Sequence, residues 1–132
     1  MVKATSIVQR VLGFSFLAFG LNGFVHFIPQ MKMPNPALEF FLGLAATGYM
    51  LPLLYMTQAA AGALLLVGLF VPLALAMLAP IVVNILLFHA LMDPGGIVPG
   101  LVVTALWFVV FWHFRTAFYG IFFADTQSNR SR

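Results

Sequence analysis

Four long apolar runs, separated by short breaks rich in proline and glycine, decide most of what this chain can become. They occupy residues 6–28, 53–70, 72–92 and 98–123. The breaks read "PQMKMPNP" and "YMLP" on either side of a shorter apolar segment, then "LFVP" and "DPGG". A helix needs roughly 20 apolar residues to cross a bilayer, and each run is close to that length. Composition closes off the soluble alternative. Only 7% of the 132 residues are charged and 63% are apolar, with a mean hydropathy of +1.07. A soluble domain carries about a quarter charged residues, so this chain lacks the polar surface to face water. The expected fold is all-α and polytopic, with four transmembrane helices in an antiparallel bundle. Residues 1–132 are expected to form a single membrane domain.

The shorter segment, "NPALEFFLGLAATG", predicts a half-helix over residues 36–47. Asn35 suits an N-cap, Pro36 the first turn and Gly48 the C-terminal stop. Its apolar body is too short to span, so it is expected to lie at the interface or to re-enter the bundle. "LFVP" leaves so little chain between spans two and three that they must be antiparallel neighbours. Pro80, inside span three, removes one backbone hydrogen bond and predicts a kink that membrane helices tolerate. A basic residue ahead of the first run imitates a signal peptide. No small-x-small site follows before Asn22 and His26, so an uncleaved first helix is expected.

The net charge of +3 comes from six basic residues placed singly, which gives no footprint for nucleic acid. Their distribution instead orients the bundle. With both termini cytoplasmic, Lys3, Arg10, Arg115, Arg130 and Arg132 lie inside and only Lys32 outside. The half-helix and "DPGG" then face outward. The absence of cysteine excludes disulfides, thiol catalysis and thiolate metal sites.

This orientation gathers seven polar residues in the outer half of the bundle: Asn22, His26, Glu39, Gln58, Asn84, His89 and Asp93. Asn22 and His26 are four apart, as are His89 and Asp93, so each pair shares a helix face. Each residue also has a purely structural reading. His26 and His89 suit the interface, each with one wet edge. Asp93 before Pro94 forms turns. Asn84 can satisfy backbone groups freed by Pro80, and Gln58 can join helices. Glu39 suits the N-terminal turn of its short helix. Arg115 snorkels to the inner surface with Trp112 and Tyr119 as its aromatic belt, and His113 is interfacial. Taken together, polar groups inside a membrane are costly and normally face the bundle interior. Such a pocket, roofed by the half-helix, suits a quinone head group bound through imidazole and amide. His26 and His89 are the weak metal candidates. No full ligand set accompanies them, and nothing else supports haem.

The segments "GLNGFVHFIP", "FLGLAATGYMLPLL", "FVPLALAMLAPIVVNILLFHALMDPGG" and "WHFR" follow one another over nearly the whole chain. In that order they resemble the DoxX family of small four-helix membrane proteins, with the proline-asparagine-histidine pattern of span three the most specific part. The resemblance implies a four-helix bundle in the bacterial cytoplasmic membrane. It also implies a link to thiosulfate:quinone oxidoreductase, to oxidative-stress partners or to assembly functions. Relatives often carry a glutamate four residues before the glycine that is here Gly62; this chain has Gln58. A glutamine cannot shuttle a proton, which removes any mechanism resting on that carboxylate.

Three functions compete on this reading. The first is a quinone-linked oxidoreductase component or membrane subunit; without cysteine or a flavin motif the chain is expected to need a partner or bound cofactor to carry electrons. The second is a non-enzymatic accessory, assembly or scaffold subunit, suited by tiny loops and by the glycine- and alanine-rich faces of spans one and two. The third is a binder or carrier of a small lipophilic molecule. The expected partners are the lipid bilayer and either other membrane subunits or further copies of this chain.

Overall fold

A few backbone positions decide where each helix starts and stops. The computed structural model describes residues 2–29 and 31–122. Five α-helices follow in chain order: α1 (Val2–Val25), α2 (Asn35–Ala46), α3 (Met50–Val67), α4 (Val71–Leu91) and α5 (Ile97–Phe114). A 3₁₀ turn at Pro94–Gly96 precedes α5, and a 3₁₀ segment, Arg115–Phe122, follows it. No strand occurs among the described residues. Four stretches are long and apolar enough to cross a membrane: Lys3–Val25, Met50–Val67, Val71–Leu91 and Pro94–Phe122. Phe123, the expected end of the last span, lies outside the described residues, as do Arg130 and Arg132.

α1 stops at Val25, short of the expected Ile28, because His26 takes a left-handed φ of 56°. The Asn22 side chain secures this ending, its Oδ1 accepting the Ile28 N–H at 2.7 Å. At α2 the expected cap is corrected. Asn35 is already helical, Pro34 occupies the cap position at φ −57°, ψ 154°, and no side chain caps the helix. Proline's fixed φ and the extended ψ set the entry without help from the asparagine. At the other end Gly48 takes φ 78°, the left-handed conformation that favours glycine. Thr47 bridges the two helices there: its hydroxyl donates to the Leu44 carbonyl at 2.6 Å and accepts from the Met50 N–H at 3.1 Å.

α3 therefore begins at Met50, three residues before the expected start, with Pro52 in its first turn. That position has no intrahelical donor role to lose. α3 ends at Gly68, φ 80°, where the N–H groups of Gly68 and Leu69 both donate to the Leu64 carbonyl. α4 is continuous through Pro80, although proline takes away the donor that the Ala76 carbonyl would receive. One residue earlier, the Leu75 carbonyl accepts the indole N–H of Trp107 at 3.1 Å.

The helices pack as a ring in which α1 meets α3, α3 meets α4, α4 meets α5, and α5 returns to α1. Glycine sets the tightest of these contacts. A Cβ on Gly13 would lie 2.6 Å from the Leu66 nitrogen, one on Gly20 2.6 Å from the Ala59 nitrogen, and one on Gly62 2.4 Å from the Leu17 nitrogen. Rising numbers on α1 meet falling numbers on α3, so this pair runs antiparallel with backbone against backbone. α4 and α5 show the same sense, with His89 beside Gly96 and Leu75 beside Trp107.

The core draws mainly on α4, through Ala74, Leu75, Leu78, Ile81 and Val82. Leu12, Phe16, Leu65, Trp107, Val110 and Phe118 complete it. At most 28% of any span is buried within the chain. Most apolar side chains, Phe14, Phe19, Leu73, Val83 and Phe108 among them, therefore point outward. An apolar exterior of this extent suits lipid and is untenable in water.

Candidate functional site

Asn84 and His89 are five residues apart on α4, which turns them roughly 140° from one another at 3.6 residues per turn. That separation divides the polar residues of this end into distinct environments. Asn84 borders a cavity under the half-helix, whereas His89 lies against α5.

The cavity measures about 220 Å³ and is lined by Phe40 and Leu44 of α2, Met50 and Leu54 of α3, and Pro80, Ile81 and Asn84 of α4. Asn84 is the one polar side chain in that lining. The roof is held by aromatic contacts. Phe88 sits 5.7 Å from Phe40 and 5.3 Å from Phe41 between ring centroids, and those two rings lie 5.9 Å apart edge to face. Ala37 anchors the start of α2 by complete burial. Chemically, the cavity offers apolar walls, an aromatic edge and one amide able to donate or accept. A cavity of about 150 Å³ admits a benzene ring, so this one has room for a single substituted ring and not for a drug-sized molecule, which takes about 300 Å³ or more.

The corner between α4 and α5 is close-packed. His89 Nδ1 lies 3.3 Å from the Asp93 carbonyl oxygen and 3.7 Å from its carboxylate Oδ2. The nearer carbonyl is the partner to which a protonated Nδ1 donates; 3.7 Å exceeds hydrogen-bond range. The ring is backed by glycine. A Cβ on Gly96 would stand 2.7 Å from its Cε1 and Nδ1, and one on Gly100 3.2 Å from its Cδ2. Phe88 completes the enclosure edge-on at 5.1 Å. His89 and Asp93 thus fasten the turn that starts α5.

The other sequence candidates are placed elsewhere. Asn22 closes the end of α1 through Ile28. His26 is exposed and outside the helix, so the shared helical face expected for it and Asn22 does not form. Neither has a hydrogen bond or ring contact to His89 among the described residues. Glu39 is exposed on α2, and Gln58 is half-buried on α3 with no hydrogen bond among the described residues. No three His, Asp or Glu side chains come together among the described residues. Of the seven candidates, the structure joins His89 to Asp93 and sets Asn84 alone beside the cavity.

Two residues that matter escaped the sequence reading. Gln9 is buried at 8% exposure, and its Nε2 donates to the Leu65 carbonyl at 2.9 Å. A signal existed, since Gln9 lies four residues before Gly13 on the stripe that continues to Gly20 and faces α3. Trp107 is the other, at 9% exposure, its indole stacked 5.0 Å from Phe111 at 9°. Nothing in its apolar surroundings distinguishes it from a packing residue. No protein-family model, no curated protein and no solved structure matches this chain.

Proposed function

We propose that the chain is a membrane component that binds the head group of a quinone in the cavity beneath α2, and that it serves a quinone-linked oxidoreductase rather than acting alone. The supporting observation is the cavity's fit: about 220 Å³, apolar walls, the Phe40 ring and a single amide at Asn84. In this reading an Asn84 N–H donates to a quinone carbonyl, Phe40 and Leu44 cover one side of the ring, and the isoprenoid tail runs out to lipid. A quinone supplies two-electron redox chemistry when bound. In this reading the residues of this chain supply only binding, orientation and exclusion of water, because an amide neither carries electrons nor relays a proton.

The same reading places the four spans as an antiparallel bundle in a bacterial cytoplasmic membrane, with both termini cytoplasmic and α2 as an interfacial or re-entrant half-helix. Membership of the DoxX family, suggested by the segments around Asn22, Gly48 and Asn84, is part of the proposal. The competing reading, a scaffold subunit, drew on the tiny loops and on the glycine- and alanine-rich faces of spans one and two. Gly13, Gly20 and Gly62 face the partner helix within the chain, so those glycines are not free for a second subunit.

Titration of a short-tailed quinone into the purified full-length protein tests the proposal. Saturable binding is expected, weakened about fivefold by Asn84→Leu, the equivalent of one net hydrogen bond. Leu44→Trp, which fills the cavity from the half-helix, should abolish it. No saturable binding, or binding indifferent to both substitutions, sinks the idea.

A further inference from the structure

A second opening lies at the far end of the bundle, where the first turns of α1 meet the last turns of α5. It is a groove of about 700 Å³ lined by Thr5, Phe108, Val109, Trp112, His113 and Arg115. Its chemistry is mixed. Phe108, Val109 and Trp112 supply apolar surface, and Arg115 and His113 supply polar groups. Phe108 and Arg115 are seven residues apart, about 10 Å along a helix. That span matches a phosphate and the first carbons of an acyl chain.

Arg115 is held in place rather than free to roam. Its guanidinium sits 4.7 Å from the centroid of the Trp112 ring, and Nη1 donates to the Trp112 carbonyl at 2.7 Å. These contacts use one of its five N–H donors. Among the described residues no carboxylate pairs with it: Glu39 and Asp93 belong to the opposite end, and the ion pair seen among those residues joins Asp93 to His89. Lys3 and Arg10 stand exposed on α1 at the same end as Arg115. Lys3, Arg10 and Arg115 make this end basic among the described residues, a charge that an anionic head group complements, and basic pockets between membrane helices bind such head groups.

We propose that this groove is a binding site for an anionic phospholipid, its phosphate on Arg115 and its proximal acyl carbons along Phe108, Val109 and Trp112. The site stands apart from the cavity under α2 and does not depend on the quinone reading. It requires only that the chain sits in a membrane.

The test uses the full-length protein in nanodiscs of phosphatidylcholine doped with a minor share of phosphatidylglycerol, followed by native mass spectrometry of retained lipid. Wild-type protein should retain phosphatidylglycerol well above its share of the mixture. Arg115→Gln should lower that enrichment about fivefold, as removal of one cation at the surface predicts, while Arg115→Lys keeps most of it. Val109→Trp, which fills the groove without touching charge, should lower it to the same degree and decides the matter if Arg115→Gln fails to fold. Lys3→Gln, outside the groove, should change it less than about twofold. The proposal is overturned by any of four results: no enrichment in wild type, equal losses from Lys3→Gln and Arg115→Gln, displacement of the lipid by millimolar inorganic phosphate, or a second copy of the chain covering the groove.

Discussion

Along α1 and α3 backbone touches backbone; between α2 and α4 the contact is made by phenylalanine rings. The first arrangement depends on Gly13, Gly20 and Gly62, whose missing side chains let the helices close to distances no Cβ would permit. The second depends on Phe40, Phe41 and Phe88, whose rings meet at 5.3 to 5.9 Å and leave about 220 Å³ unfilled beside them. Both regions hold apolar helices together without help from water. They differ in what they can accommodate: a seam of backbone has no volume to lend, whereas rings reaching across a gap enclose space at their flanks. Capacity for a ligand therefore follows the side-chain contact.

Substitution at glycine tests this contrast most directly. Gly62→Ala should have the largest effect, because the new methyl would stand 2.4 Å from the Leu17 nitrogen and 2.7 Å from the Gly13 carbonyl oxygen, neither of which can swing aside. A loss at the upper end of the roughly 1–3 kcal/mol seen for overpacking is expected, read from unfolding in mixed micelles. An alanine tolerated there would mean that the seam is not close-packed. Gly96→Ala comes next. Its methyl meets the His89 ring, the far end of a side chain, so about 1 kcal/mol is expected. In a His89→Ala background the cost of Gly96→Ala should largely vanish, and undiminished cost in that double-mutant cycle would show that the ring is not the obstacle. Gly43→Ala in α2 should do least, since nothing lies within 4 Å of the new methyl. A gain of about 0.5–1 kcal/mol is expected from the better helix former. A clear loss would mean that the roof is packed as tightly as the seam.

The spans themselves were legible because their cause is local. Twenty apolar residues between proline breaks can do little else, and each of the four runs became a helix. Bounds shifted where one backbone angle decides, as at His26 and Pro34, and no count of apolar residues reports a φ. The candidate site was legible in depth and not in direction. Asn84 and His89 lie toward the same end of α4 but face different neighbours, and which neighbours could be known only once α3 and α5 were seen to flank α4. Gln9 was missed for the same reason: its hydrogen bond runs to Leu65, 56 residues away, and becomes predictable only after α1 is paired with α3. Thr47 sits in a turn that looked like a simple stop, while its hydroxyl ties α2 to α3.

The two tryptophans carry a consequence of a different kind. Trp107 is buried in the bundle, hydrogen-bonded to Leu75 and stacked on Phe111, whereas Trp112, five residues on, is exposed beneath the Arg115 guanidinium. The chain thus has two native fluorophores with opposite surroundings. One reports on the interior beside Leu75 and Phe111, the other on the exposed surface beside Arg115, and their emission can be separated by quenchers confined to the bilayer.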